Sequence, residues 1–278
     1  MKLLLVSILM TLPLHARAAE FSFQTHFPLL GQQAEYLTAK LVTANSSNDC
    51  LVDTGARFTL GKDSIFGNLT TVGETSGGGL SNMELKTDLV QTDVSVGDWK
   101  MQNAVIGRTN RIPHECLIGN DFFLGKAFSI DFKSNKFTEI ESLVNGTNPL
   151  DVYSRDRGGH FGFAVVVAEY STQSIFDTGA SQTVVDKKIV ELNPSQFTLI
   201  KEINVTDGNS SKIKAGLYTL SRFKFGSIEL ENIEVFAVDL SAMTAKIPGV
   251  DVVVGLDIIQ KYNWIIDTKS KTWNLEHL

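Results

Sequence analysis

Cysteine is scarce in this chain: 278 residues hold two. Two are too few for a disulfide scaffold, and without a Cys-x-x-Cys pair or a Cys/His cluster no zinc-site spacing is present. The five histidines form no His-x-x-His or His-Glu-x-x-His pattern, so the expectation is no metal and no cofactor. Gly-x-Ser-x-Gly and phosphate-loop motifs are absent, which argues against a nucleophilic serine hydrolase and a nucleotide enzyme. Basic residues are the minority, 25 Lys and Arg against 31 Asp and Glu, for a net charge of −6. With no basic tract, neither a nucleic acid nor an anionic membrane surface is expected as partner. No apolar run reaches the roughly 20 residues that span a bilayer, so no stable membrane insertion is expected.

What is present is an ordinary globular composition, 43% hydrophobic and 20% charged, long enough for one large domain or two of usual size. The start reads as a leader. Met1-Lys2 is followed by an apolar run from Leu3 to Leu14, and Ala16-Arg17-Ala18 has the small-x-small pattern of a cleavage site. Residues 1–18 are therefore expected to be a signal peptide. Its removal leaves 23 basic and 31 acidic residues, a net −8. The mature protein is expected to be exported and soluble, periplasmic by first choice and secreted as the alternative.

The chain repeats itself. Ile118-Gly119-Asn120-Asp121 and Ile130-Asp131-Phe132-Lys133-Ser134 recur as Val254-Gly255-Leu256-Asp257 and Ile266-Asp267-Thr268-Lys269-Ser270, 136 positions on. Leu51-Val52-Asp53-Thr54-Gly55-Ala56 recurs as Ile175-Phe176-Asp177-Thr178-Gly179-Ala180 at an offset of 124, and Gly97 and Asn103 match Gly226 and Asn232 at 129. A drifting offset reads as loop insertions in the second of two copies, each of about 120 residues. Short stretches rich in Val, Ile, Phe and Thr, such as 89–96 and 217–225, alternate with Gly, Asn, Asp and Ser clusters, an all-β texture. A helical turn is expected after each second anchor, at 121–126 and 257–262. The polar stretch around Pro149 reads as an interlobe linker. The predicted organisation is a lobe at 19–145, a linker at 146–160 and a lobe at 161–278.

A single Asp-Thr-Gly arises by chance in about one chain in twenty of this length. Two copies, each after two apolar residues, before Ala, and followed downstream by an apolar-apolar-Gly element, are far rarer. On LVDTGA with CLIG and IFDTGA with VVVG, the chain resembles the retropepsin-like (retroviral-type) aspartic proteases, in a single-chain tandem form. That resemblance implies a bilobal acid-protease fold, two tandem retropepsin-like β lobes with the active site at the interlobe cleft. It also implies an aspartic endopeptidase, one aspartate from each copy, with Asp53 and Asp177 as the catalytic pair. Two carboxylates about 3 Å apart do not both ionise cheaply, so they share a proton. One then takes a proton from water while the other donates to the carbonyl oxygen under attack. Thr54 and Thr178 would hydrogen-bond across the axis, and Gly55 and Gly179 would let backbone approach the carboxylates. Both halves lie on one polypeptide, so a monomer suffices, acting on a polypeptide in extended conformation at acidic to near-neutral pH.

The resemblance places a flap over residues 74–80, where Gly77, Gly78 and Gly79 give a mobile hairpin tip. Thr206-Asp207-Gly208-Asn209 holds the corresponding place in the second copy, so Gly208 joins the substrate-binding candidates. Cys50 and Cys116 lie three residues before Asp53 and Gly119. If the fold makes their strands neighbours, they are either a disulfide or two buried thiols, and the second copy has Ser174 and Val252 instead. Phe122, Phe123, Phe161 and Phe163 read as core or subsite wall, and Asp131 and Asp267 as turn residues. Arg57 departs from the second copy's Ser181; it is expected to point away from the carboxylates. This asymmetry keeps a second reading open, a non-catalytic periplasmic peptide-binding or sensor protein on the same scaffold. A third reading is an assembly factor that retains the repeat.

Overall fold

The computed structural model describes residues 18–26, 36–80, 84–142, 147–154 and 158–276. Of the expected leader, all but Ala18 lies outside them. The fold is all-β, two closed barrels of six strands joined by a shared sheet. In the first barrel the ring runs Tyr36–Thr43, Ser47–Val52, Cys116–Ile118, Leu60–Gly61, Trp99–Arg108 and Glu84–Val96, closing where Leu41 pairs with Val96. The second ring runs Ala164–Val167, Tyr170–Phe176, Val250–Val254, Val184–Asp186, Ile228–Val238 and Lys212–Phe225, closing where Val165 pairs with Phe225. Closure leaves few edges open to strand addition.

Local chemistry explains the matched positions of the repeat. Gly97 and Gly226 each open a two-residue hairpin turn at φ of +54° and +51°, the left-handed start that the twist of such turns favours. Asn103 and Asn232 hold φ of +51° and +53° within their strands, a conformation asparagine tolerates better than most residues. The helical turns fall at Asn120–Phe122 and Leu256–Ile259. Asp131 and Asp267 each accept two backbone N–H bonds from the residues that follow, as turn formers do.

Between the barrels lies a six-stranded sheet in the order Glu20–Ser22, Lys136–Glu139, Ala127–Asp131, Asn263–Asp267, Thr272–Glu276 and Asn148–Pro149. Its centre is the antiparallel pairing of Ala127–Asp131 with Asn263–Asp267, one strand from each copy. The described residues of the expected linker include strands. Asn148–Pro149 edges the shared sheet, and Asp151–Ser154 pairs with Gly159–Gly162 as an interlobe hairpin. Phe21, Trp99, Phe123, Phe128 and Phe137 pack edge-to-face and offset on the first-copy side, and Phe163, Phe176, Phe225, Trp264 and Trp273 on the second. Each such pair adds about 0.5–1.5 kcal/mol beyond the area it buries. Phe122, Phe123, Phe161 and Phe163 are core residues, each at most 1% exposed.

Candidate active site

Two strands deliver the two Asp-Thr-Gly loops to the cleft. Ser47–Val52 runs parallel to Cys116–Ile118, and the Asp53 N–H donates to the Ile118 carbonyl at 3.0 Å. Tyr170–Phe176 runs parallel to Val250–Val254, and the Asp177 N–H donates to the Val254 carbonyl at 3.0 Å. Parallel pairing of non-neighbouring strands thus brings the apolar-apolar-Gly element behind each loop.

The loops lock across the axis through their threonines, both fully buried. Thr54 Oγ1 donates to the Phe176 carbonyl at 2.8 Å and accepts from the Thr178 N–H at 3.0 Å. Thr178 Oγ1 donates to the Val52 carbonyl at 2.7 Å and accepts from the Thr54 N–H at 3.1 Å. Every donor is matched, which a buried hydroxyl requires. A Cβ on Gly55 would overlap the Asp177 carboxyl, and one on Gly179 the Asp53 carboxyl. The lock and the bare glycines bring the carboxyls of Asp53 and Asp177 together, close enough to titrate as a pair. Ala56 N–H donates to Asp53 Oδ1 at 2.8 Å, and Gly179 and Ala180 N–H donate to Asp177 Oδ1 at 2.8 and 3.2 Å.

Each aspartate keeps part of its surface open to the cleft, yet protein packs closely around both carboxyls. Burial raises both above the ordinary carboxylate range, and for Asp53 the charge of Asp177 raises it further. The pair therefore titrates as a unit that holds a proton to higher pH than a free aspartate does. The Arg57 guanidinium lies over the Phe58 ring, 5.3 Å from its centroid.

Behind each loop stands a pair that sequence reading passed over. Thr59 donates from Oγ1 and N to Asp121 at 2.8 and 3.0 Å, and accepts from the Gly119 N–H at 3.2 Å. Thr183 donates to Asp257 in the same way at 2.8 and 2.7 Å, and accepts from the Gly255 N–H at 3.1 Å. Gly119 and Gly255 lie so close to the passing loops that a Cβ would meet backbone of Phe58 and Gln182. Burial lifts Asp121 and Asp257 to about 6, against the hydrogen bonds from Thr59 and Thr183 that favour their charged forms. The signal was in the repeat: each threonine stands six residues after its Asp-Thr-Gly aspartate, and each acid two after its glycine.

Cys50 and Cys116 are joined by a disulfide and fully buried, one strand apart in the first barrel. Ser174 and Val252 occupy the matched places and are register partners in the second. Two hairpins, one from each lobe, come together. In the first, Thr71–Gly78 pairs with Glu84–Val96, so Gly77 and Gly78 belong to its arm, opposite Leu85 and Glu84. In the second, Phe197–Thr206 and Lys212–Phe225 flank a turn in which Asp207 Oδ1 accepts from the N–H groups of Asn209 and Ser211. The hairpin ends meet: a Cβ on Gly79 would lie 2.8 Å from Asp207 Oδ2, while Gly77 and Gly208 face open space. Leu80 packs on the apolar cluster around Ile175, Val184 and Val253 in the other lobe. No cluster of metal-ligating side chains occurs among the described residues.

A search of curated proteins returned no match. Residues 164–258 match the family model described as aspartyl protease. That span covers about a third of the chain and includes Asp177-Thr178-Gly179 and Val254-Gly255. From 164 to 258, the chain is thus similar to the retropepsin-like aspartyl proteases.

Proposed function

We propose that the protein is an aspartic endopeptidase that hydrolyses peptide bonds with a water activated by Asp53 and Asp177. The observation that carries this reading is the juxtaposition of two carboxyls, each seated against the opposite loop's bare glycine and each held above the ordinary carboxylate range by burial. A pair that shares one proton supplies both functions the hydrolysis needs. The ionised carboxylate takes a proton from water as the water oxygen attacks the scissile carbonyl carbon. The protonated one donates to the carbonyl oxygen, giving a neutral tetrahedral diol. In the collapse of that diol the protonated carboxyl gives its proton to the departing amine nitrogen and the other carboxylate takes one from a diol hydroxyl, so the C–N bond breaks, the acid forms and the dyad again holds one proton. The threonine lock holds the geometry during the cycle, so little reorganisation is required when charge moves.

An extended polypeptide suits the cleft. It would lie beneath the two hairpins, with the backbone of Gly77 to Gly79 and of Gly208 above it. Apolar clusters adjoin Ala56 in one lobe and Ala180 in the other, which favours apolar side chains beside the cut bond. The 1–18 leader would export the chain, to the periplasm in the first instance, where it would act as a monomer.

The test is cleavage of a mixed peptide library by the purified protein from pH 3 to 8, with products read by mass spectrometry. Asp53→Asn and Asp177→Asn should each lower turnover by about 10³-fold or more. Turnover retained in either folded variant would overturn the reading. Peptides bound but uncut at every pH would replace it with a binding role.

A further inference from the structure

The interlobe hairpin braces the Asp53 loop directly. The Gly159 carbonyl accepts a hydrogen bond from the side-chain amide of fully buried Asn120, at 3.1 Å. The Asn120 backbone N–H donates to the Ala56 carbonyl at 2.9 Å, and the Ala56 N–H donates to Asp53 Oδ1 at 2.8 Å. Three bonds run unbroken from hairpin to carboxyl. One residue earlier, Gly158 holds φ at +75° with no room for a Cβ against the Arg57 carbonyl, so the hairpin touches this loop a second time.

In the second lobe Leu256 stands where Asn120 stands in the first. Its N–H donates to the Ala180 carbonyl at 2.8 Å, but leucine has no side-chain donor and the path ends there. The Ala180 N–H lies 3.2 Å from Asp177 Oδ1, against 2.8 Å for its counterpart Ala56 on Asp53. Packing alone does not call for asparagine, since leucine fills the equivalent place. Asn120 Oδ1 accepts no bond among the described residues, an unmet polar atom that leucine would not carry.

We propose that Asn120 is a positioning residue: it relays the interlobe hairpin to Ala56, fixes the N–H donated to Asp53, and makes the two halves of the pair unequal. The inference rests on the dyad reading above. An N–H donated to a carboxylate favours its charged form, so loosening that donor moves the pair's titration upward. The titratable and charged groups around this loop include Asp177 across the axis, Arg57 over the Phe58 ring, Asp121 held by Thr59, and His160 beside Gly159 on the hairpin strand. Replacing Asn120 alters none of their charges.

The experiment uses the full protein with Asn120→Leu, which installs the second lobe's residue, and Asn120→Ala should the first not fold. Three quantities are measured: melting temperature, pH profiles of kcat and KM on a library-derived peptide, and a carbon-13 NMR titration of the aspartate carboxyls. Expected are a wild-type melting temperature, a kcat about 5–10-fold lower with KM unchanged, and both pH limbs displaced upward by about half a unit. Unmoved limbs and an unmoved carboxyl titration overturn the proposal, as does a loss of kcat that merely follows a loss of stability. If the wild type cuts no peptide, the dyad reading fails on its own, and the carboxyl titration still decides whether Asn120 acts on Asp53.

Discussion

The two lobes share one plan and treat it differently. Around the cleft axis they are near copies: the same threonine lock, the same bare glycines, the same buried Thr–Asp pair behind each loop. One layer out they diverge. The first lobe ties the strand that leads to Asp53 to the strand behind it by Cys50–Cys116 and the following turn to the interlobe hairpin by Asn120, where the second has Ser174, Val252 and Leu256. The aspartyl protease family match falls on the second lobe, the one without these ties. Chemistry at the axis constrains both halves alike, while support for each half is met by whatever local bonds serve.

The sharpest way to break that comparison is at the axis. Gly55→Ala and Gly179→Ala each drive a methyl into the carboxyl of the opposite lobe. Both should lower kcat/KM by about 100-fold or more, because misplacement of a reacting group by an ångström has that effect. A large loss from one substitution and none from the other would refute a symmetric axis. The next effect should be confined to one lobe. Cys50→Ser with Cys116→Val gives the first lobe the second lobe's pair, and should cost about 2–4 kcal/mol in denaturant unfolding. Reducing agent should then have no further effect on the variant. An unchanged midpoint would mean the bridge adds nothing to the first lobe.

A smaller effect should again be equal in both lobes. Asp121 and Asp257 sit near 6 in the fold and near 3.8 when unfolded. The native state therefore holds protons that the unfolded chain has released, and the stability this contributes is complete below 3.8 and lost as pH rises through 6. Asp53 and Asp177 act in the same direction. The protein should be more stable at pH 4.5 than at pH 7. Asp121→Asn and Asp257→Asn should each flatten the dependence by about 1–3 kcal/mol, the lower figure allowing for the solvent that reaches these carboxyls. A slope that vanishes for one variant and persists for the other would separate the lobes at a point where geometry makes them twins.

The sequence disclosed the axis because the axis is made of short contiguous words. Asp-Thr-Gly, the apolar-apolar-Gly element, and the paired Gly and Asn of the hairpins each encode a local backbone demand, and each is written twice. The Thr59–Asp121 pair was visible only as recurring letters, since a threonine and an acid 62 residues apart announce no contact until two parallel strands bring them together. Residues 146–160 gave no strand signal: Asn148–Pro149 is a strand by virtue of its pairing with Thr272 and Trp273, a tertiary choice that overrides a polar, proline-bearing composition. Asn120 was in plain view opposite Leu256. Its meaning depends on Gly159, whose place no local pattern specifies.

A peptide has a direction, amino end to carboxyl end, and a site with perfect two-fold symmetry must accept it equally either way round. When two identical chains form such a site, every substitution appears in both halves at once, and polarity has to be imposed from outside. A side-chain bond from Asn120 to Gly159, at a place where the second lobe has Leu256, writes polarity into the site itself. The unequal brace therefore gives this molecule a built-in sense of left and right, from which a preference for one orientation of the bound strand can be selected by changing one half alone.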